Sequence, residues 1–172
     1  MQLTWPVPKD DDGWSAFATR ALDLFDGPLD YGYAGLLLSF PIHHAGRGHH
    51  ALQDQLLRRF TGLDPFDLSW HALESEDGMR TPSWLTAIGR HHLARLGAAA
   101  LQSLPADVVR HDLEHCVVLQ LGPAPKLGDV NAKEDMSLYS AVARALRPLR
   151  SNRNLWLGNY RYREKDWLAR FD

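Results

Sequence analysis

Apolar residues recur at three- and four-residue steps at Trp14, Phe17, Ala18, Ala21, Leu22 and Phe25, which predicts an amphipathic helix over 14–25 capped by Asp11 or Asp12. Asp26-Gly27-Pro28 stops it. The continuous apolar run Tyr31 to Phe40 reads as a buried strand closed by Pro41, and Ile42 to His49 as a loop rich in Gly and His. Leu52, Leu56, Leu57 and Phe60 form one stripe of a second helix, over 51–60, which stops at Gly62. Leu68 to Leu73 is a candidate short strand. Pro82 stands at a first-turn position and introduces a predicted helix over Ser83 to Leu96, ended by Gly97.

Val108 to Leu121 contains a strand, clearest at Cys116-Val-Val-Leu-Gln-Leu121, followed by the turn-rich Gly122 to Gly128. Met136 to Leu149 patterns as a helix, Leu155 to Tyr162 alternates as a late strand, and a short helical turn reaches Phe171. No Gly-rich phosphate loop follows any strand. The pattern predicts an α+β fold, a mostly antiparallel sheet backed by helices, in one domain over 1–172.

Composition narrows the function. Six Trp, six Phe and five Tyr in 172 residues supply enough apolar surface for a core without staples. No stretch approaches the ~20 apolar residues of a membrane span. The segment Met1 to Asp10 lacks a basic region followed by an apolar one, so no signal peptide is read. The single cysteine, Cys116, excludes an intrachain disulfide and fits a reducing, cytoplasmic setting. Net charge is −2, but it is divided: residues 1–77 carry 12 acids and 5 bases (−7), residues 78–172 carry 9 acids and 14 bases (+5). The two halves either attract each other within the fold or give it one acidic and one basic face, one of which meets a partner.

Three candidate chemistries stand beside bland readings. His111-Asp-Leu-Glu-His115 fits the H-x-x-E-H pattern in which two histidines on one helical face hold zinc and Glu114 activates water, with Glu134 or Glu164 as third ligand. The motif also runs straight into the β-rich 116–121, and if His111 to His115 is extended the two histidines do not converge. His43, His44, Arg47, His49 and His50 crowd one loop that can chelate a metal, contact a partner or simply be solvated. The late segment from Arg144 to Arg163, with Trp156, Tyr160 and Tyr162 interleaved, suits nucleic acid, a protein interface or a solvated helix face. No G-x-S-x-G elbow or glycosidase-type carboxylate pair is present, and Cys116 lies in an apolar strand.

Three segments, taken together, carry a resemblance. They are Tyr31-Gly-Tyr-Ala-Gly35; Arg80-Thr-Pro-Ser-Trp-Leu-Thr-Ala-Ile-Gly89 followed by Leu93 to Gly97; and Leu127-Gly-Asp-Val-Asn131 through Tyr139 to Leu149 and Trp167-Leu-Ala-Arg-Phe171. In that order and spacing they resemble the type VI secretion immunity family linked to VRR-Nuc nuclease effectors, over Tyr31 to Asp172. The resemblance implies a non-catalytic cytoplasmic protein that binds one cognate toxin and occludes it. It implies no cofactor, no metal, no nucleic acid and no membrane partner, and leaves room for a homodimer. It makes Trp84, Trp167 and Phe171 core anchors and Gly128 and Asp129 turn formers. Two departures stand out: a leading portion shorter than expected, and the charged Arg110 to His115 where the family has a glycine-containing strand pair. Residue type and position suggest three contact patches: the 43–50 loop, Trp156 with Tyr160 and Tyr162, and the acidic Asp10, Asp11 and Asp12, which suit a nuclease's basic cleft.

Overall fold

The structure, a computed structural model, describes residues 8–38, 47–65, 78–151 and 167–172. Helix α1 (Asp11–Phe25) starts three residues before the predicted Trp14, because Asp10, and not Asp11 or Asp12, is the cap: its carboxylate accepts the Gly13 N–H at 2.8 Å. The apolar run after it does not form one strand. It splits at Gly35 into β1 (Tyr31–Ala34) and β2 (Leu36–Leu38), which join different sheets. A Cβ at Gly35 would collide with the Ser83 hydroxyl, so a larger residue there would force that side chain to turn away.

Helix α2 (Arg47–Arg59) begins four residues earlier than predicted, so Arg47, His49 and His50 stand on a helix and not in a loop. Gly48 reads as a breaker, but one glycine costs a helix only about 1 kcal/mol. Strand β3 (Leu63–Pro65) pairs parallel with β2.

The largest correction concerns 83–96. Leu85–Gly89 is a strand, β4, and only Arg90–Leu96 is helical, as α3. All five β4 residues are buried, and so are five of the six residues of the neighbouring β6, while those of β1 are half-buried. A strand covered on both faces shows no alternation, so periodicity cannot tell it from a buried helix. A short helix α4 (Ala98–Gln102) follows. The stretch read as one strand-bearing region is a hairpin, β5 (Val108–Asp112) and β6 (Cys116–Leu121). Helix α5 (Ser137–Ala145) stops short of the reading, and Arg147–Leu149 continues as one 3-10 turn around Pro148. The candidate strands Leu68–Leu73 and Leu155–Tyr162 lie outside the described residues.

The main sheet has order β1-β4-β6-β5, antiparallel throughout, and the fold is α+β. Its registers set two rows of side chains. Gly32, Ala87, Val118 and His111 share one face; Tyr33, Thr86, Leu119 and Arg110 share the other. Helix α1 covers the first: the Phe25 ring lies over Gly32, and the Cys116 thiol reaches the Phe25 carbonyl at 3.4 Å. Trp14 and Phe17 of α1 pack on Trp84 with ring centroids 5.3 and 6.0 Å away. The core continues through Leu119, Tyr139, Val142, Leu146, Leu149 and Phe171. Each buried aliphatic of this kind contributes about 1.5–3 kcal/mol.

Candidate partner-binding surface

Helix α1 presents its outer side to solvent with Asp11, Asp12 and Asp23 exposed, and Asp26 and Asp30 follow on the connection to β1, also exposed. The amphipathic pattern explains this. Trp14, Phe17, Ala18 and Ala21 face the core, so the carboxylates fall on the other side. Asp11 and Asp12 sit in the first turn, where the helix dipole favours negative charge. Between Pro8 and Asp30 there are six aspartates against Lys9 and Arg20. Asp10 is exposed as well, although its carboxylate already serves as the helix cap.

Of the other proposed contacts, Arg47, His49 and His50 are placed only as backbone positions in the first turn of α2. His43, His44, Trp156, Tyr160 and Tyr162 lie outside the described residues.

The His111–His115 motif is not helical. His111 belongs to β5 and pairs with Gln120 across the hairpin (Nε2 to Oε1, 3.0 Å), while Glu114 and His115 form the turn into β6. The four-residue spacing therefore does not stack the two rings on one face, which removes the geometry the zinc reading needs. Its candidate third ligand Glu134 is engaged elsewhere, and Glu164 lies outside the described residues. Among the described residues no three His, Cys, Asp or Glu side chains gather as a metal site. His115 instead lines a depression of about 320 Å³ with Pro28, Leu29, Asp30, Arg90 and His91. Arg90, one of these residues, donates to the Leu113 and Glu114 carbonyls at 2.8 and 2.9 Å.

The late basic residues within the described chain mostly serve the chain itself. Arg150 grips Asp172 through two bonds of 2.6 and 2.8 Å, and Arg147 lies 3.6 Å from the same carboxylate. The hydrogen bond from Arg150 holds the Asp172 carboxyl below the usual carboxylate range. Arg144 donates to the Ser140 carbonyl one turn earlier.

The segment 127–134 is a tightly fixed turn. Gly128 has φ +68°, and a Cβ there would stand 2.8 Å from Gly62 N. One carboxylate oxygen of Glu134 accepts both the Gly128 and Asp129 N–H groups, at 2.8 and 3.1 Å. Asp129 receives Arg59 through two bonds of 2.9 and 3.3 Å, which lowers its pKa. The turn thus joins the end of α2 to the approach to α5, and leaves Leu127 and Val130 exposed.

Trp84, Trp167 and Phe171 are all buried. Around Trp167 lies a cluster the sequence reading missed. Arg80 and Arg170 both stack on the Trp167 ring, 4.9 and 3.8 Å from its centroid, and both face Asp64. The three charged side chains are at most 6% exposed. Arg170 donates to Asp64 Oδ1 at 3.0 Å and to the Thr61 carbonyl at 2.7 Å; Arg80 donates to the Tyr33 hydroxyl. Burial raises the pKa of Tyr33 and keeps the phenol neutral. No local pattern marks these residues, because three distant segments supply them.

No curated protein matches this chain. Among solved structures, the Pseudomonas aeruginosa T6SS protein PA0821 superposes with a TM-score of 0.68 at 23% identity, over 83% of this chain and 44% of that one. The chain thus spans less than half the length of that protein, and the likeness is one of fold. The family described as type VI immunity for VRR-NUC matches residues 15–171, nearly the whole sequence, and therefore this chain belongs to that family.

Proposed function

We propose that this protein is a single-domain cytoplasmic immunity protein that binds its cognate VRR-Nuc effector of the type VI secretion system one to one and blocks it without catalysing any reaction. The family match over residues 15–171 carries the reading. The exposed acidic side of α1 supports the mode of binding. A nuclease must present a cationic groove to hold a polyanion, and a surface with Asp11, Asp12, Asp23, Asp26 and Asp30 exposed is its electrostatic complement. The other proposed contacts are His43, His44, Arg47, His49, His50 and the aromatic set Trp156, Tyr160 and Tyr162, and the expected interface is of standard size, about 1,600 Å² in total.

The test is neutralisation of the purified effector's nuclease activity by titrated immunity protein. Inhibition should reach completion at one equivalent. Asp11→Asn/Asp12→Asn/Asp23→Asn should slow association, with the loss greatest at low salt. Full activity of the effector in the presence of excess protein would reject the reading. Full protection by the triple variant, with unchanged association rate, would reject the acidic surface alone.

A further inference from the structure

Strand β5 (Val108–Asp112) ends the main sheet on one side, and among the described residues no strand pairs with its outer edge. The hairpin fixes which backbone groups point outward there. Leu113 donates to the Cys116 carbonyl at 3.0 Å, so 113 and 116 form a hydrogen-bonded pair, and the alternation of an antiparallel ladder makes His111 and Val118 the next one. The backbone N–H and C=O groups of Arg110 and Asp112 therefore face away from β6. Val109, Arg110 and Asp112 are exposed. Charges on a sheet edge ordinarily discourage pairing. Here they are opposite in sign and two residues apart, on one face of the strand. Arg110 gives both Nε and Nη2 to Asp112 Oδ1, at 3.0 and 2.5 Å, and among the described residues Asp112 Oδ2 and Arg110 Nη1 have no hydrogen-bond partner.

We propose that this edge pairs with the same edge of a second copy of the chain, antiparallel, about a two-fold axis at His111. In that register Arg110 stands opposite the partner's Asp112 and Asp112 opposite the partner's Arg110, and the outward backbone groups of each pair meet. On the other face Val109 meets the partner's Leu113, and the two His111 residues stand side by side. The adjacent registers that also match the outward groups centre on Arg110 or on Asp112, and each sets like charges face to face. The charge pattern thus selects a second copy as the occupant and one register over its neighbours. The shared edge is five residues long, so the pairing is weak and dilute protein is monomeric. It is independent of effector binding.

Sedimentation velocity over about a hundredfold range of concentration tests the pairing. The unaltered protein should move from monomer towards dimer. Arg110→Asp and Asp112→Arg, both at exposed positions, should each stay monomeric, because each sets like charges in opposition. Mixed in equal amounts the two variants should dimerise again, because the mixed pair restores opposite charges at every position. A second readout reports the register. The two His111 Cα atoms would lie about 4.5 Å apart, within disulfide reach. His111→Cys should therefore oxidise to a covalent dimer faster than Val109→Cys, although Val109 is the more exposed of the two, and the buried Cys116 does not compete. A protein that stays monomeric throughout, a dimer that neither single substitution weakens, a mixture that stays monomeric, or equal oxidation rates would each overturn the proposal. A monomer whose Arg110 and Asp112 amides resist hydrogen exchange would overturn it too, and would give the edge to another segment of the same chain.

Discussion

Replacing Asp64 by Asn separates burial from distance as the source of ion-pair strength. The amide keeps the shape of the carboxylate and removes its charge. Two guanidiniums, each 2% exposed, then lose the carboxylate they both face. Breaking a buried pair in this way costs about 3–5 kcal/mol, because the remaining charge is stranded out of water. For a chain of this size each kcal/mol moves the Tm by roughly 2–4 °C, so the expected fall is about 6–20 °C. Asp112→Asn is the control. Arg110 holds Asp112 at 2.5 Å, closer than either arginine approaches Asp64, yet the side chains are 47% and 59% exposed. Solvent screens such a pair, and its loss should cost about 0–1 kcal/mol. Urea unfolding of both variants, at constant slope, gives the comparison. Equal losses, or a larger loss at Asp112, would refute the argument that burial decides.

Gly128→Ala should destabilise the protein by more than about 1 kcal/mol in the same unfolding assay, since it combines a positive φ with contact against Thr61 and Gly62. Burial lowers the pKa of His92, whose Nε2 has no hydrogen-bond partner among the described residues, with Arg95 and His91 adding to the effect. The unfolded chain then binds a proton below about pH 6.5 that the folded chain refuses, so stability should be flat above that pH and fall below it. His92→Leu should flatten the Tm between pH 7 and 5, and an unaltered slope would assign the acid sensitivity elsewhere. Burial raises the pKa of the Cys116 thiol, so a thiol reagent should label the native protein no faster than it unfolds.

The sequence by itself determined the elements whose signals are local. Helix α1 followed from a clean amphipathic stripe with an acidic cap, α2 and α5 from theirs, and β6 from the β-rich run Cys116 to Leu121. The α+β class followed from these, and the family from motifs that span most of the chain. Only the tertiary structure decided where pairing or burial overrides local preference. It made Leu85–Gly89 a central strand, because β1 and β6 pair with its two edges and all five of its residues are buried. It broke 31–40 at Gly35, because the residues before it pair with β4 and those after it with β3. It turned His111–His115 into a hairpin, because β5 pairs with β6. It assembled Arg80, Asp64 and Arg170 around Trp167 from segments up to 106 residues apart. Periodicity reports which face of an element is apolar; it carries no information about which distant carboxylate a buried arginine will meet, since that depends on chain crossings that no local window contains.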